Sequence, residues 1–193
     1  MGPKFGVIRR SEWGAVEPKE VIPLKLPVTK VVIHHTCGTI CPGKKKCSEE
    51  IRKLQEKHMN EKGHADIKWN FLVGGDGRVY EGRGWNVQGE HVKAFDHETI
   101  GVAFMGNFCD NDLPPDMAEA FRALVYYGVR FGYLKEGHEL QTILHTDLDF
   151  TTYCPGYYTM DLYLDETVLA ANEHWSKRNV IGKLWDKLVG FEI

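Results

Sequence analysis

Two histidines and one cysteine stand at positions from which they could hold a catalytic metal ion. His34 lies near the end of an apolar run, His145 ends a second such run, and Cys154 follows 9 residues later. Two imidazoles and a thiolate suit Zn²⁺, and three protein ligands leave one position for water. Zinc there would polarise a carbonyl and activate that water, which is hydrolase chemistry. The chain has 9 histidines, so the spacing equally allows two core histidines and a structural cysteine.

The 5 cysteines bear on the compartment in which the protein works. Cys41 and Cys47 bracket a short segment that a disulfide could close, although two free surface thiols fit the same spacing. Cys37 and Cys109 each follow a strand-like run and could pair across neighbouring strand ends. An odd number of cysteines suggests disulfides plus one thiol with another role. Disulfides form in oxidising compartments, so the pattern indicates secretion.

The segments that must position these residues alternate between strand and helix patterns. Apolar, β-branched runs and a glycine-rich turn predict strands over 31–35, 70–73, 78–81, 99–105 and 140–144. Capping signals and helical spacing predict helices over about 49–60, with Ser48 as N-cap, about 116–131 and about 162–175. These elements predict a single α/β domain with helices flanking a central mixed β-sheet.

Composition narrows the classes of partner. The chain has 193 residues, a net charge of −3 and a pI near 6.3, so no basic field attracts nucleic acid or anionic membrane. No apolar run approaches the roughly 18 residues that span a bilayer. The start of the chain shows no apolar signal segment, so either the protein is intracellular or a signal has been removed. Oligomeric state leaves no mark on the sequence.

The C-terminal residues have a pattern of their own. We assign residues 8–175 to the domain and 176–193 to an amphipathic helical extension, in which apolar residues recur at helical spacing: Ile181, Leu184, Trp185, Leu188 and Val189. A terminal helix packing on its own domain explains this spacing. A membrane-active or partner-binding helix is the alternative, weakened by the small number of cationic residues.

Motifs spread through most of the chain resemble the animal peptidoglycan recognition proteins, which are related to phage-type zinc N-acetylmuramoyl-L-alanine amidases. The matching stretches are 10–15, 31–36, the Cys41 and Cys47 pair, 58–59, 70–77, 80–86, 100–108 and 154–156. The resemblance covers about residues 8–175 and implies the amidase fold, a Cys41–Cys47 disulfide and a groove floored by the sheet.

The resemblance also implies a ligand set and an activity. The zinc ligands of the family match His34, His145 and Cys154, and family receptors that only bind often carry serine in place of this cysteine. Thr152 matches a position near the scissile group, where a hydroxyl could hydrogen-bond the developing oxyanion. The implied reaction is hydrolysis of the amide between N-acetylmuramic acid and L-alanine, in defence against bacteria. The alternative is a non-catalytic peptidoglycan receptor or opsonin.

Further positions match residues that contact peptidoglycan in the family. They are His58, Lys62, Gly63, His64, Trp69 and His91. For the histidines, packing within the protein is the competing interpretation. We therefore expect peptidoglycan and muropeptides as partners.

Trp69 is the departure that bears most on catalysis. The active enzymes of the family carry a tyrosine there, near the zinc. An indole N–H can donate a hydrogen bond but cannot accept or shuttle a proton as a phenol can. Trp69 could replace the phenol if that group only orients water, and would weaken activity if the phenol takes part in chemistry. A third interpretation makes Trp69 part of an apolar groove wall.

Two further departures concern specificity and spacing. Diaminopimelate-type binders often have Gly-Trp where this chain has Gly63-His64, and arginine where it has Glu98, which would repel the extra carboxylate. Lys62 could compensate for that charge. We expect no strong preference for the diaminopimelate carboxylate. The His145–Cys154 spacing is one residue longer than usual, so Thr151 is the alternative to Thr152 at the position near the scissile group.

Overall fold

A six-stranded mixed sheet forms the centre of the domain in the computed structural model, which describes residues 6–137, 140–156 and 159. The strands are β1 (Val7–Ile8), β2 (Lys30–His35), β3 (Phe71–Val73), β4 (Val79–Glu81), β5 (Thr99–Phe104) and β6 (Gln141–Leu144). Their order is β1-β4-β3-β5-β2-β6, with only the β3–β4 pair antiparallel. The sheet confirms the predicted mixed α/β architecture.

Four α-helices accompany the sheet among the described residues. They are α1 (Arg10–Trp13), α2 (Lys44–Glu56), α3 (Pro115–Arg130) and α4 (His145–Leu148). A wider turn of π-helical geometry, Lys57–Glu61, continues α2. No helix in the described part of the chain is long and apolar enough to cross a membrane.

The two faces of the sheet pack against different helices. Side chains alternate between faces along a strand, so Val31 and Ile33 join the apolar core beneath α3, which contributes Phe121 and Leu124. The opposite face carries a smaller core with Trp13 of α1 and Cys47 and Ile51 of α2. Val32 and His34 alternate along β2 with Val31 and Ile33, so they face this second side.

Helix α2 begins before the predicted start. Gly43, with extended backbone, is the N-cap, and Ser48 is buried inside the helix instead of capping it. Cys47 lies in the first turn of α2 and forms a disulfide with Cys41. This cross-link holds the chain at residues 41–47 against the second core, which explains a helix start that the Ser48 signal did not locate.

The second suggested disulfide is absent from the structure. Cys37 and Cys109 are both free thiols, and Cys37 Sγ lies 3.0 Å from His35 Nε2. The Cys37 side chain is therefore turned toward β2, and its backbone has a positive φ of 56°. The predicted helix over 162–175 and the extension 176–193 lie outside the described residues.

Candidate metal centre

Strand β2 determines which of two consecutive histidines faces the metal centre. His34 pairs in register with Ala103 of β5, which belongs to the core on the α1 and α2 side. His35 points to the other face, where its Nδ1 accepts a hydrogen bond from the Phe108 amide at 3.2 Å. Alternation along the strand therefore gives the site one imidazole from the pair.

The other two donors come from the chain that follows β6. His145 is the first residue of α4, and the Thr146 amide donates to the Cys154 carbonyl at 3.0 Å, which brings residue 154 back beside the helix. The donor atoms of His34, His145 and Cys154 lie within 4.8 Å of one another. This is the one such group of metal-binding side chains within the part of the chain that the structure describes.

The orientation of the donor atoms fits a metal ion. His34 Nδ1 faces Cys154 Sγ at 3.7 Å, and the His35 amide donates to that sulfur at 3.3 Å. His145 Nδ1 is buried and has no hydrogen-bond partner among the described residues. A buried polar atom without a partner is costly, and a metal ion bound by these three residues would remove that cost.

Burial also sets the protonation of the donors. Desolvation lowers the pKa of His34 well below its usual value, with further lowering from the nearby His91 and His145. Burial lowers the pKa of His145 as well, so both rings are neutral at pH 7. Burial raises the pKa of the Cys154 thiol to about 12, so in the metal-free protein this group holds its proton. Metal binding would have to release that proton.

His91 does not contact the groove as the sequence suggested. Its side chain is 0% exposed, and its Nδ1 lies 3.0 Å from His34 Nε2, so no substrate reaches the ring. Desolvation lowers the pKa of His91 to about 3. The contact between His34 and His91 depends on the tertiary fold, so the local Gln-Gly-Glu-His sequence around His91 does not predict it.

Trp69 and His58 pack together beside the metal centre. The Trp69 ring lies 6.2 Å from the His34 ring and 5.1 Å from the His58 ring. Trp69 is 5% exposed, and its Nε1 has no hydrogen-bond partner among the described residues. His58 Nδ1 accepts from the Lys68 amide at 3.3 Å, and burial lowers the pKa of His58 to about 3. His58 is thus a neutral wall residue with little free surface.

The remaining predicted contact residues sit where the turn after α2 meets the loop at residue 90. His64 is half-buried, and its Nδ1 lies 2.5 Å from Glu90 Oε2. The other carboxylate oxygen of Glu90 pairs with Arg83 at 2.7 Å. Lys62 and Gly63 are exposed. Of the predicted set, His64, Lys62 and Gly63 keep surface that a ligand could reach.

The two threonines before Cys154 have different surroundings. Thr152 Oγ1 accepts a hydrogen bond from the Cys154 amide at 3.1 Å. Thr151 is exposed, and its hydroxyl donates to Asp149 at 2.6 Å. The longer spacing therefore still places the Thr152 hydroxyl beside the cysteine.

Glu98 has a partner that the sequence analysis did not identify. Its carboxylate pairs with Lys30 at 2.5 Å, at the start of β2 and β5, whereas the suggested compensating residue was Lys62. The pairing lowers the pKa of Glu98, mainly through the hydrogen bond from Lys30. Because the charge of Glu98 is balanced by Lys30, Glu98 repels a ligand carboxylate less than the sequence alone implied.

Sequence reasoning also missed Thr99 and Asp96, which surround the far side of the His91 ring. Asp96 Oδ1 accepts from the backbone amides of His91 and Val92, each at 2.8 Å. Gly101, inside strand β5, was the available signal, because a glycine within a strand often marks close approach by another group. A Cβ at this position would lie 2.4 Å from the His91 ring.

Comparison with known proteins places this geometry among related chains. Residues 24–157 match the family described as N-acetylmuramoyl-L-alanine amidase. Peptidoglycan-recognition protein SC2 of Drosophila melanogaster is 39% identical over 150 residues, which cover 78% of this chain and 80% of that protein. Peptidoglycan recognition protein 1 of Mus musculus is 39% identical over 151 residues, covering 78% and 81%.

A solved structure extends the likeness to three dimensions. The crystal structure of peptidoglycan recognition protein-LE, in complex with tracheal cytotoxin, a monomeric diaminopimelic acid-type peptidoglycan, has a TM-score of 0.77. It is 34% identical in sequence and covers 82% of this chain and 94% of that one. The overall fold of this chain is thus shared with that protein.

Proposed function

The chain belongs to the peptidoglycan recognition protein family, related to the N-acetylmuramoyl-L-alanine amidases, and on that premise we propose that it binds bacterial peptidoglycan and hydrolyses it with zinc. The bond cleaved is the amide between N-acetylmuramic acid and L-alanine. The ligands are His34, His145 and Cys154. The observation that carries the proposal is their convergence within 4.8 Å, with one buried ring nitrogen lacking a partner.

The three ligands leave one position for the reaction. Zinc bound there would polarise the scissile carbonyl and lower the pKa of a water molecule. The neutral rings of His34 and His145 present lone pairs without first losing a proton. The amide of His35 donates to the Cys154 sulfur and orients it. Cys154 must give up its proton when the site fills, so zinc affinity rises with pH.

Two side chains, Thr152 and Trp69, stand beside the proposed ligands. Thr152 has its hydroxyl oxygen at the Cys154 amide, and its O–H can donate to the oxyanion that develops on the scissile carbonyl. Trp69 has a buried N–H without a partner among the described residues, and its ring lies 6.2 Å from the His34 ring, so it forms part of the apolar wall beside the ligands. Neither group can remove a proton from water, so the general base must be another group or the substrate itself.

A receptor without catalytic activity is the second candidate. Trp69 favours it, because an indole cannot accept or shuttle a proton where the active relatives carry a phenol. In that case the metal centre supports the groove without turnover. Both candidates require peptidoglycan binding, so the difference between them lies in cleavage.

The site and partner also fit an extracellular role. The Cys41–Cys47 disulfide needs an oxidising compartment, and bacterial peptidoglycan is met outside the cell. We propose a secreted protein of innate immunity that acts against bacteria. Glu98 already pairs with Lys30 and stands where diaminopimelate-type binders often carry arginine, so we propose no strong preference for the diaminopimelate carboxylate.

Cleavage products distinguish the two candidates. We would incubate the zinc-loaded protein with purified lysine-type and diaminopimelate-type peptidoglycan and analyse the soluble products by mass spectrometry. An amidase releases stem peptides that begin at L-alanine, and a chelator abolishes that release. A receptor sediments with the polymer and releases no peptide. A chain that neither cleaves nor binds either polymer contradicts both candidates.

Matched variants connect the result to the site. Cys154→Ser should abolish release, whereas Cys37→Ser removes a neighbouring free thiol outside the ligand set and should preserve it. Trp69→Tyr restores the phenol of the active relatives. If the wild type binds without cleaving and this variant cleaves, Trp69 is the reason that the natural chain is a receptor.

A further inference from the structure

We infer that His91 is a positioning residue that fixes the tautomer of His34, so that Nδ1 of His34 is the atom offered to the metal. Thr99 and Asp96 set the orientation of His91 in turn. This inference deepens the proposed function and rests on it for the identity of the metal, although the tautomer itself is a property of the metal-free protein.

The hydrogen on the His91 ring is assigned by its neighbours. Thr99 Oγ1 donates to the Phe95 carbonyl at 2.9 Å, so its oxygen is left to accept from His91 Nε2 at 3.4 Å. Asp96 Oδ1 lies 3.7 Å from the same nitrogen. Both neighbours are acceptors, and both favour a hydrogen on Nε2. His91 Nδ1 then carries the lone pair.

The lone pair on His91 Nδ1 determines which ring nitrogen of His34 carries the hydrogen. His91 Nδ1 lies 3.0 Å from His34 Nε2, and an acceptor at that distance requires a donor opposite it. His34 therefore carries its hydrogen on Nε2. Its Nδ1 is left with a lone pair, and this is the atom that faces Cys154 Sγ at 3.7 Å.

Packing prevents the His91 ring from leaving this position. A Cβ added at Gly89 or Gly101 would lie 2.4 Å from His91 Cδ2 in each case. The His91 amide is also held by Asp96 at 2.8 Å. Ring and backbone are thus fixed from several sides, as expected of a group that orients a metal ligand.

The first measurement is the tautomer of His34 in the metal-free protein. Long-range ¹H–¹⁵N correlation of the ring nitrogens distinguishes a hydrogen on Nε2 from one on Nδ1. We expect the Nε2–H form for both His34 and His91. A wild-type His34 with its hydrogen on Nδ1 overturns the inference, whether or not the protein binds zinc.

The second measurement is zinc affinity in variants of His91, by competition with a chelator of known affinity. His91→Phe fills the space without an acceptor and should weaken zinc binding by about 10–100-fold, with His34 in a mixture of tautomers. His91→Asn places an amide oxygen near the Nδ1 position and should recover most of the affinity. Equal zinc affinity in His91→Phe and wild type overturns the positioning role.

A pair at Thr99 keeps the inference testable if the buried His91 variants fail to fold. Thr99→Val removes the acceptor at His91 Nε2, whereas Thr99→Ser keeps it. We expect Thr99→Val to raise the population of the Nδ1–H form of His34, and Thr99→Ser to resemble wild type. Identical His34 spectra in the two variants would contradict a role for Thr99. If His34 has the Nε2–H tautomer but the protein binds no zinc, the positioning role of His91 is upheld and the proposed zinc-dependent function is refuted.

Discussion

The two faces of the sheet contrast in what they bury. Beneath α3 the core consists of apolar side chains, among them Ile33, Phe104 and Phe121. On the opposite face of the same strands lie His34 and His91, with Trp69 and His58 at the edge. The α3 face is an apolar core, whereas the site face combines a smaller apolar core with neutral imidazoles and with buried polar atoms that have no partner among the described residues. The candidate metal centre is thus confined to one face of the sheet.

Acid should have the largest effect, because it acts on several groups of one face at once. Burial lowers the pKa of His58 and of His91 to about 3 from an ordinary 6.5, and that of His34 in the same direction. The unfolded chain therefore binds more protons between those values. Stability is complete above about pH 6.5 and is lost as pH falls toward 3, by up to about 1.4 kcal/mol per pH unit for each histidine.

Urea denaturation of the metal-free protein between pH 7.5 and 4 measures this loss. His58→Gln should flatten the dependence, since it removes one of the buried imidazoles. His97→Gln, at an exposed position, should leave it unchanged. A free energy of unfolding that stays constant over this range would show that the site face is no more sensitive to acid than the α3 face.

Truncation in the α3 core tests the other side of the contrast. Phe121 is fully buried, and Phe121→Ala should cost about 3–5 kcal/mol of the free energy of unfolding. Zinc affinity of the folded variant should remain within about twofold of wild type, because Phe121 packs on the opposite face. Phe131→Ala, at a residue 50% exposed, should cost under about 1 kcal/mol. Loss of zinc binding in the folded Phe121→Ala variant would show that the two faces of the sheet are energetically coupled.

The consecutive histidines of β2 give the sharpest comparison between faces. His34→Ala removes a ligand and should weaken zinc binding by more than the roughly 10–100-fold that loss of an outer-shell partner costs. His35→Ala lies on the other face and keeps the backbone amide that donates to Cys154, so its loss of affinity should be smaller. Titration with a zinc-sensitive dye measures both. Equal losses would mean that strand alternation does not select the ligand.

Thr152 should give the smallest effect. Thr152→Ala removes one hydroxyl hydrogen bond, worth about 1 kcal/mol, or roughly fivefold in the rate of peptide release. Thr152→Ser should retain the rate. Thr151→Ala serves as control, because that hydroxyl bonds Asp149 and not the cysteine. A drop confined to Thr151→Ala would transfer the role to the neighbouring residue.

Local patterns predicted β2 to β6, although not the two-residue β1, because each of those patterns is completed within a few residues. The run that ends at His35 and the glycine turn between β3 and β4 are of this kind. The start of α2 was missed because a disulfide to Cys41 acts there in place of the Ser48 signal. The helix boundary depended on a covalent contact that helix propensity does not contain.

The residues of the candidate site were likewise predicted only in part. The three ligand positions came from a resemblance of motifs, and the structure brings their donor atoms together. The role of His91 and the Lys30–Glu98 pair were missed. The His34–His91 contact joins residues 57 apart in sequence and the Lys30–Glu98 pair joins residues 68 apart. No local spacing encodes contacts between such distant segments.

The two glycines around His91 limit how this site can vary during evolution. Positions 89 and 101 lack room for even a methyl group while an imidazole occupies residue 91. Substitutions at these three positions should therefore be correlated among descendants of this chain, with alanine tolerated at a glycine position only after the imidazole has been replaced by something smaller. An epistatic constraint of this kind would make loss of the imidazole at position 91 easier than its return, because any alanine gained at position 89 or 101 would have to revert to glycine first.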